Sequence, residues 1–425
     1  MVLLKLKSAA LQLTLFIAII IAILLMGFVL LLHTHKRFQV QTDFILETTQ
    51  NADVGIEYAL LNPIRLKDST TIPLEETTFK TLKIYRDFWG VFEKVTAVSQ
   101  IKNNHFQKTA LVGAKSKDQN RTALYVQDTQ KPLVLVGDTK IEGVAFLPNQ
   151  GVKPGTISGH SYTGSQLIYG STQLATELPL LASDVVHQIE SIESLVEEIS
   201  ETQFITIEPK KQYKNSFINP VQLYLSNGDI VLNSVELVGH IQVQSNTKII
   251  VQASATLKEV VLIAPEIEIQ TNVVGTFQAF ASKTLSVGKG VELQYPSALI
   301  LNKNQASSAS FTNGVKEMPA MQIGESAVVN GVVIYLGTTP PNNYKTQIEV
   351  HETAILMGEL YCNQNTELKG SVYGSVFSKN FIANKFGSIY QNHIYNGKIN
   401  VHQLPKKYVG LLFNNSKKEV LKWLY

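Results

Sequence analysis

The feature that most constrains this chain is residues 9–32, a run of 24 residues without a charge, sixteen of them Leu, Ile, Phe or Val. At about −0.3 to −0.6 kcal/mol each on a membrane-insertion scale, those sixteen contribute roughly −5 to −10 kcal/mol. As a helix the run is roughly 36 Å long, enough to cross a hydrocarbon core with some tilt. A cleavable signal has a shorter apolar stretch of about 7–15 residues and then a small-x-small site. Here the run ends in His33-Thr34-His35-Lys36-Arg37. The sequence therefore predicts a single transmembrane helix over 9–32, preceded by a tail at 1–8. Lys5 and Lys7 in that tail suit a cytoplasmic N-terminus, so the large remainder is expected outside, in a periplasm or at a cell surface.

Beyond the bilayer the helix is expected to continue as a stalk over 33–62. Phe38, Ile45, Ala52 and Ala59 recur every seven residues, Ile56 and Leu60 widen the stripe, and Asn62-Pro63 ends it. A long helix, apolar first and amphipathic later, leading into a β domain, resembles the type IV pilins and PilX-type minor pilins over about 60 residues. Ser8 and Gln12 stand where the prepilin pattern has Gly and Glu. The resemblance implies a component of a pilus-like envelope assembly.

The formal net charge of +3 is local to the membrane segment. Lys5, Lys7, Lys36 and Arg37 flank it, and the other 33 basic residues are matched by 34 acidic ones. No basic patch marks a nucleic-acid binder. Cys362 is the one cysteine, so neither an intrachain disulfide nor a zinc knuckle can form.

The body reads as mostly β. From about 228, apolar residues come in i, i+2 pairs with polar residues between them. Ile249/Val251, Ile267/Ile269 and Leu285/Val287 recur at intervals of 18, and Ile230/Leu232 lies 19 residues before the first. Val260/Leu262 recurs at Phe277/Ala279 after 17. Three short faces per turn of about 18 residues describe a β-solenoid, or β-helix, over 228–403. Val332/Ile334, Ile348/Val350 and residues 369–377 continue it less regularly, with loops expected at 307–319 and around Pro340-Pro341. Residues 131–170 alternate in the same way between glycines (Val134/Val136, Val144/Phe146, Leu167/Tyr169) and are expected to form the first turns. An inserted amphipathic helix over 176–202 interrupts them: Leu181, Val185, Ile189, Ile192, Val196 and Ile199 form one stripe, with Ser183 or Asp184 as cap and Glu190, Glu193, Glu197, Glu198 and Glu201 opposite. That helix is expected to lie across the solenoid's side with its acids in water. Residues 63–130, with Leu82/Ile84, Val91, Val95 and 110–112, read as a β-rich lead-in. Residues 404–425 read as a cap over the last turn, ending in a short helix or strand.

Short triangular turns with β-branched inward pairs and no catalytic motif resemble the bactofilins and related polymer-forming β-helix proteins, over about 130–170 and 228–400. That resemblance implies a structural protein.

A search for chemistry predicts no catalytic residue, no metal site and no cofactor. The nine histidines (His33, His35, His105, His160, His187, His240, His351, His393 and His402) form no H-x-x-x-H or H-E-x-x-H. Asp138 and Asp229 stand alone, whereas glycoside hydrolysis needs paired carboxylates. Hexapeptide acyltransferases share 18-residue turns, but Val251-Gln252, Ile269-Gln270 and Leu293-Gln294 break their pattern of a small residue after the aliphatic one. His240 and His351 are the only candidate bases for such chemistry. Tyr295, Tyr335, Tyr361, Tyr373, Tyr390 and Tyr395 could stack on sugar rings if exposed. The sequence thus predicts a non-catalytic, membrane-anchored scaffold of the cell envelope. Its expected partners are the lipid bilayer, itself or other envelope proteins. The alternatives are a glycan- or cell-wall-binding module and a β-helix enzyme acting on envelope polysaccharide.

Overall fold

The computed structural model describes residues 3–74, 79–115, 121–194, 199–303, 319–340 and 343–424. It is mostly β, with one long N-terminal apolar helix. The chain divides into two units, one of residues 1–58, 69–85 and 96–108, the other of 59–68, 86–95 and 109–425.

In the first unit, helix α1 (Leu3–Leu61, counted to Tyr58 here) is long and apolar enough to cross a membrane. It continues past the apolar run as the heptad stripe predicts and ends before Pro63. Only the later part of the stripe is buried: Phe38 and Ile45 are exposed, whereas Ala52 and Ile56 are covered. Gly55 packs directly on Ala97 and Leu82, where a side chain would collide. Lys80 pairs with Glu47 and Lys108 with Asp53, fastening strands to the helix's polar side. The strand Ser69–Ile72 runs antiparallel to residues 82–85.

The second unit is dominated by parallel pairing, and the pairs close into a barrel-like circuit. Three rows of inward residues fill it. In the first, Ile230, Ile249, Ile267, Leu285, Met321 and Ile348 lie in register. In the second, Val243, Leu262, Ala279, Leu299, Val333, Leu360 and Val376 follow one another. In the third, Leu237, Leu257, Gly275, Leu293, Val329, Leu356 and Val372 do the same. Nearly all are fully buried in one aliphatic core, as strand alternation requires when one face points inward. The i, i+2 pairs read from the sequence between Ile230 and Val287, and Ile348/Val350, are inward residues, whereas Val332/Ile334, Val134/Val136 and Val144/Phe146 are not: there Val333/Tyr335, Leu133/Leu135 and Ala145/Leu147 face the core.

Residues 131–170 occupy a different place from the one expected. Their strands stack beyond the C-terminal ones: residues 376–378 pair with 124–126, Ile399 with Ile141, and Ile394 with Leu135. They continue the last rungs rather than preceding the first. The chain then returns along the outside through α2 (Ser183–Ser191) and enters the opposite end at the strands Gln212–Asn215 and Gln222–Ser226.

The second row differs from the others because its outward face is buried too. Ile263, Phe280, Ile300, Ile334, Tyr361, Phe377 and Tyr125 form an outward row in register. A second apolar cluster covers it with Val185 and Ile189 from α2 and Ile192 just past its end, with Phe88, Trp89, Val91 and Phe92, and with Leu111, Leu411, Leu412 and Leu424. The helix thus lies across the side of the sheet with Glu190 only half-buried, as expected. It is shorter than predicted, at nine residues, and Val196, Glu197 and Glu198 lie outside the described residues. Its N-cap is Ala182 with no side-chain cap, because Asp184 is drawn instead to Arg86 at 2.7 Å. The C-terminal segment is a strand, Lys418–Leu424, antiparallel to residues 109–114. It covers this lateral face and does not sit over the last rung as a cap. The expected loop at 307–319 lies, apart from Pro319, outside the described residues.

Candidate functional site

The polar side chains that interrupt the covered outward face are the natural candidates for a site. One row of that face reads Gln242, Val261, Gln278, Ala298, Val332 and Glu359 across successive rungs. Gln278 accepts from the Val91 N–H at 2.9 Å and donates to the Trp89 carbonyl at 2.8 Å, holding the turn at Gly90. Glu359 accepts from the Leu411 N–H at 2.6 Å. Burial, only partly offset by that hydrogen bond and by the Arg121 charge, pushes the Glu359 carboxyl up to about 7. Arg121 itself donates to the carbonyls of Leu404, Pro405 and Lys406. Tyr408 donates to the Gly331 carbonyl at 3.1 Å, and Tyr295 to the Val409 carbonyl at 2.9 Å. Each of these groups fastens a covering segment to the sheet, as buried polar groups must find partners.

A second polar knot lies on the same side. Arg86 pairs with Glu93 and with Asp184, and Lys418 reaches Glu93 at 2.6 Å. Arg86 also donates to the Ile64 carbonyl at 3.2 Å. Glu93 is 2% exposed, so this carboxylate depends on its two cations. The four residues tie together the hairpin, α2 and the terminal strand.

A cleft of about 280 Å³ opens beside the hairpin, lined by Asp87, Trp89, Lys94, Gln188, His240 and Gln242 among others. His240 lies 4.7 Å from the Trp89 ring and 4.9 Å from Phe217, and its Nδ1 faces the Asn219 carbonyl at 2.8 Å. Burial and the Lys94 charge push this imidazole down to about 3, so it stays neutral. Trp89 is itself buried, and its Nε1 donates to the Glu259 carbonyl at 2.8 Å. His351, the other candidate base, sits in a turn bonded to Thr353 at 3.0 Å. The Cys362 thiol is buried and pushed up to about 12, which removes thiolate reactivity. Among the described residues, no three His, Cys, Asp or Glu side chains converge as metal ligands. Asp138 and Asp229 each bond a threonine, Thr163 and Thr247.

The six tyrosines do not share one exposed surface. Tyr335 points into the core, and Tyr361 is buried with its hydroxyl donating to the Pro179 carbonyl. Tyr373, Tyr390 and Tyr395 are half-buried, and Tyr295 is 36% exposed. The polar clamps Gln278, Glu359, Arg86 and Glu93 were not singled out from the sequence. Their only signal is a polar residue within an otherwise apolar outward row.

No family model and no curated protein matches this sequence. Among solved structures, the chain is similar to a competence-associated pilin, ComZ, from Thermus thermophilus. The identity is 11%, over 85% of this chain and 86% of that one, with a TM-score of 0.21. A likeness of that size carries no argument about fold or function.

Proposed function

We propose that this chain is a non-catalytic structural protein of the cell envelope. Residues 9–32 hold it in the membrane as a single span, and its parallel stack is a β-solenoid displayed outside the cytoplasm as a scaffold, in a pilus-like or similar assembly. The solenoid reading is supported by three ladders whose register steps are 17–20 residues as far as Leu285, Leu293 and Leu299, as from Ile249 to Ile267 to Leu285, and longer where loops intervene later. The orientation is supported by the lysine-bearing tail.

One observation carries the scaffold reading. The polar side chains on the covered face, Gln278, Glu359, Arg86 and Glu93, each fasten the chain's own segments, with only the Arg86 Nε of that guanidinium left without a partner. Outside that face the rungs are joined by ion pairs, Lys248 to Glu268, Lys289 to Glu325, and Lys369 to Glu349 and Glu367. Such a surface offers little chemistry to a substrate. The docking partner is a second copy or another envelope protein. The test is the mass of the full-length protein solubilised in mild detergent, by light scattering, together with cross-linking in membranes. An oligomer or a reproducible envelope partner supports the reading. A strict monomer with no cross-linked partner removes it.

A further inference from the structure

From a second hollow in the first unit, we infer that the chain carries a binding site for the headgroup of an anionic phospholipid, at the bilayer surface from which the domain emerges. This rests on reading residues 9–32 as a retained membrane span. The hollow, of about 440 Å³, is lined by His33, Lys36, Arg37, Val40, Gln41 and Phe44 of α1, with Lys102, Asn103 and Asn104. The helical residues begin one position after the apolar run ends. A lipid phosphate therefore lies at the level of His33, Lys36 and Arg37 when the run spans the core, with Val40 and Phe44 about one and two turns farther out.

Basic residues flanking a span are common, and Lys36 and Arg37 alone would mean little. What separates this place from a mere flank is Lys102, which comes from the turn between the strands Phe92–Ile101 and Asn104–Lys115. Its ammonium sits 4.7 Å from the Phe44 ring and 5.1 Å from the Phe79 ring, and those rings meet edge-on at 6.4 Å. Its backbone N–H donates to the Phe79 carbonyl at 3.1 Å, fixing the turn. The fold thus carries a third cation to the helix and holds it there through aromatic faces. Among the described residues, none of Lys36, Arg37 and Lys102 forms an ion pair, whereas Lys80 and Lys108 of the same unit both do. Three cations with two asparagine amides match the phosphodiester of an anionic headgroup, whose glycerol and acyl chains extend back along the apolar run.

The test is native mass spectrometry of the full-length protein, titrated in detergent with phosphatidylglycerol or with phosphatidylcholine of the same acyl chains. Phosphatidylglycerol is expected to be retained at least about tenfold better. At about fivefold per cation near a membrane surface, Lys102→Gln should lower retention about fivefold. The triple variant Lys36→Gln, Arg37→Gln, Lys102→Gln should abolish the preference, and Lys5→Gln with Lys7→Gln should leave it unchanged. If Lys102→Gln proves misfolded, Phe44→Leu, which removes one of the two rings that hold the Lys102 ammonium, serves the same purpose. Equal retention of the two lipids overturns the inference, as does loss with the tail lysines and not with Lys102. Displacement of the lipid by millimolar inorganic phosphate would make the ligand a free anion and overturn the lipid assignment. Intact mass separates the two readings. A chain beginning past residue 32 removes the anchor and this inference together, whereas a full-length chain without lipid preference removes the inference alone.

Discussion

Gly331, Gly358 and Gly374 stand above one another on successive rungs, each with φ near +150°. They lie where the chain passes from the third inward row to the second, in a backbone conformation that side-chain-bearing residues rarely adopt. A Cβ on Gly358 would lie 1.8 Å from the Gly331 carbonyl oxygen and 2.8 Å from its carbon. No rotamer relieves that clash, because both atoms are backbone. Gly358→Ala must therefore separate two rungs or rotate the strand, and either way weaken the pairing of residues 355–362 with 328–335. We expect about 1–3 kcal/mol from the dihedral strain alone, and roughly 3–5 kcal/mol in total with the lost rung contacts. Gly387 is the control: its φ is +76°, but nothing lies within 4 Å of its Cβ position. Gly387→Ala should cost about 1–2 kcal/mol, the left-handed penalty alone. Thermal unfolding of the full-length protein in detergent reads the difference. At about 2 °C per kcal/mol for a large domain, Gly358→Ala should lower Tm by roughly 6–10 °C and Gly387→Ala by roughly 2–4 °C. Equal shifts for the two variants would refute the argument that rung-to-rung backbone contact imposes these glycines.

Three further outcomes follow, two from the polar clamps and one from the buried imidazole of His240. Glu93→Gln leaves Lys418 and part of Arg86 buried without their carboxylate, and should cost about 3–5 kcal/mol; a Tm within error of the parent would mean the knot is solvated. Glu359 has a folded pKa near 7, above its ordinary 4.5, so the folded state binds more protons between those values and stability falls as pH rises through them. Glu359→Gln, which keeps an acceptor for the Leu411 N–H, should flatten that fall in a Tm–pH profile, and an unchanged slope would show that the carboxyl ionises freely. His240 titrates near 3 when folded against 6.5 ordinarily, so its contribution is lost as pH falls through that window. His240→Phe should remove this acid-side component, and a profile still falling equally over pH 6 to 4 would exclude the buried neutral imidazole as its source.

The inward rows were legible because alternation and recurrence act together: Ile249/Val251 and Ile267/Ile269 can point inward only in one register. The covered outward face left a signal as well, in the unbroken apolar runs at 260–264, 298–301 and 332–336, since a strand buried on both faces does not alternate. Helix α2 was read too long because the spacing of its apolar stripe continues beyond Ser191, and spacing does not report where backbone hydrogen bonding stops. Its cap was misread because Asp184 satisfies Arg86, a partner far away in sequence. The C-terminal residues 419–424 fit a helix or a strand locally. The free edge at residues 109–114 decides for a strand. Nothing local joins Arg86, Glu93, Asp184 and Lys418, so their knot was invisible.

The stacking order was illegible for a deeper reason, and it bears on how the domain forms. Residues 131–170 carry the same alternation whether they begin the stack or end it. Pairing Val376 with Leu124 and Ile399 with Ile141 closes loops of more than two hundred residues. Closing a loop of that length costs entropy that only the completed interface returns. Residues 124–141 therefore find their pairing partners only once the strand Ser371–Lys385 and residues 398–400 are made. The rungs from Gln212–Asn215 onward can assemble in chain order, each on its predecessor. The terminal strand, α2 and the turn at residues 88–92 then share one apolar cluster on the lateral face, so segments more than three hundred residues apart are held by the same surface. An arrangement in which 131–170 came first would let the strands assemble wholly in chain order but would need no return path along the side, and so would leave that lateral face without its cover from α2.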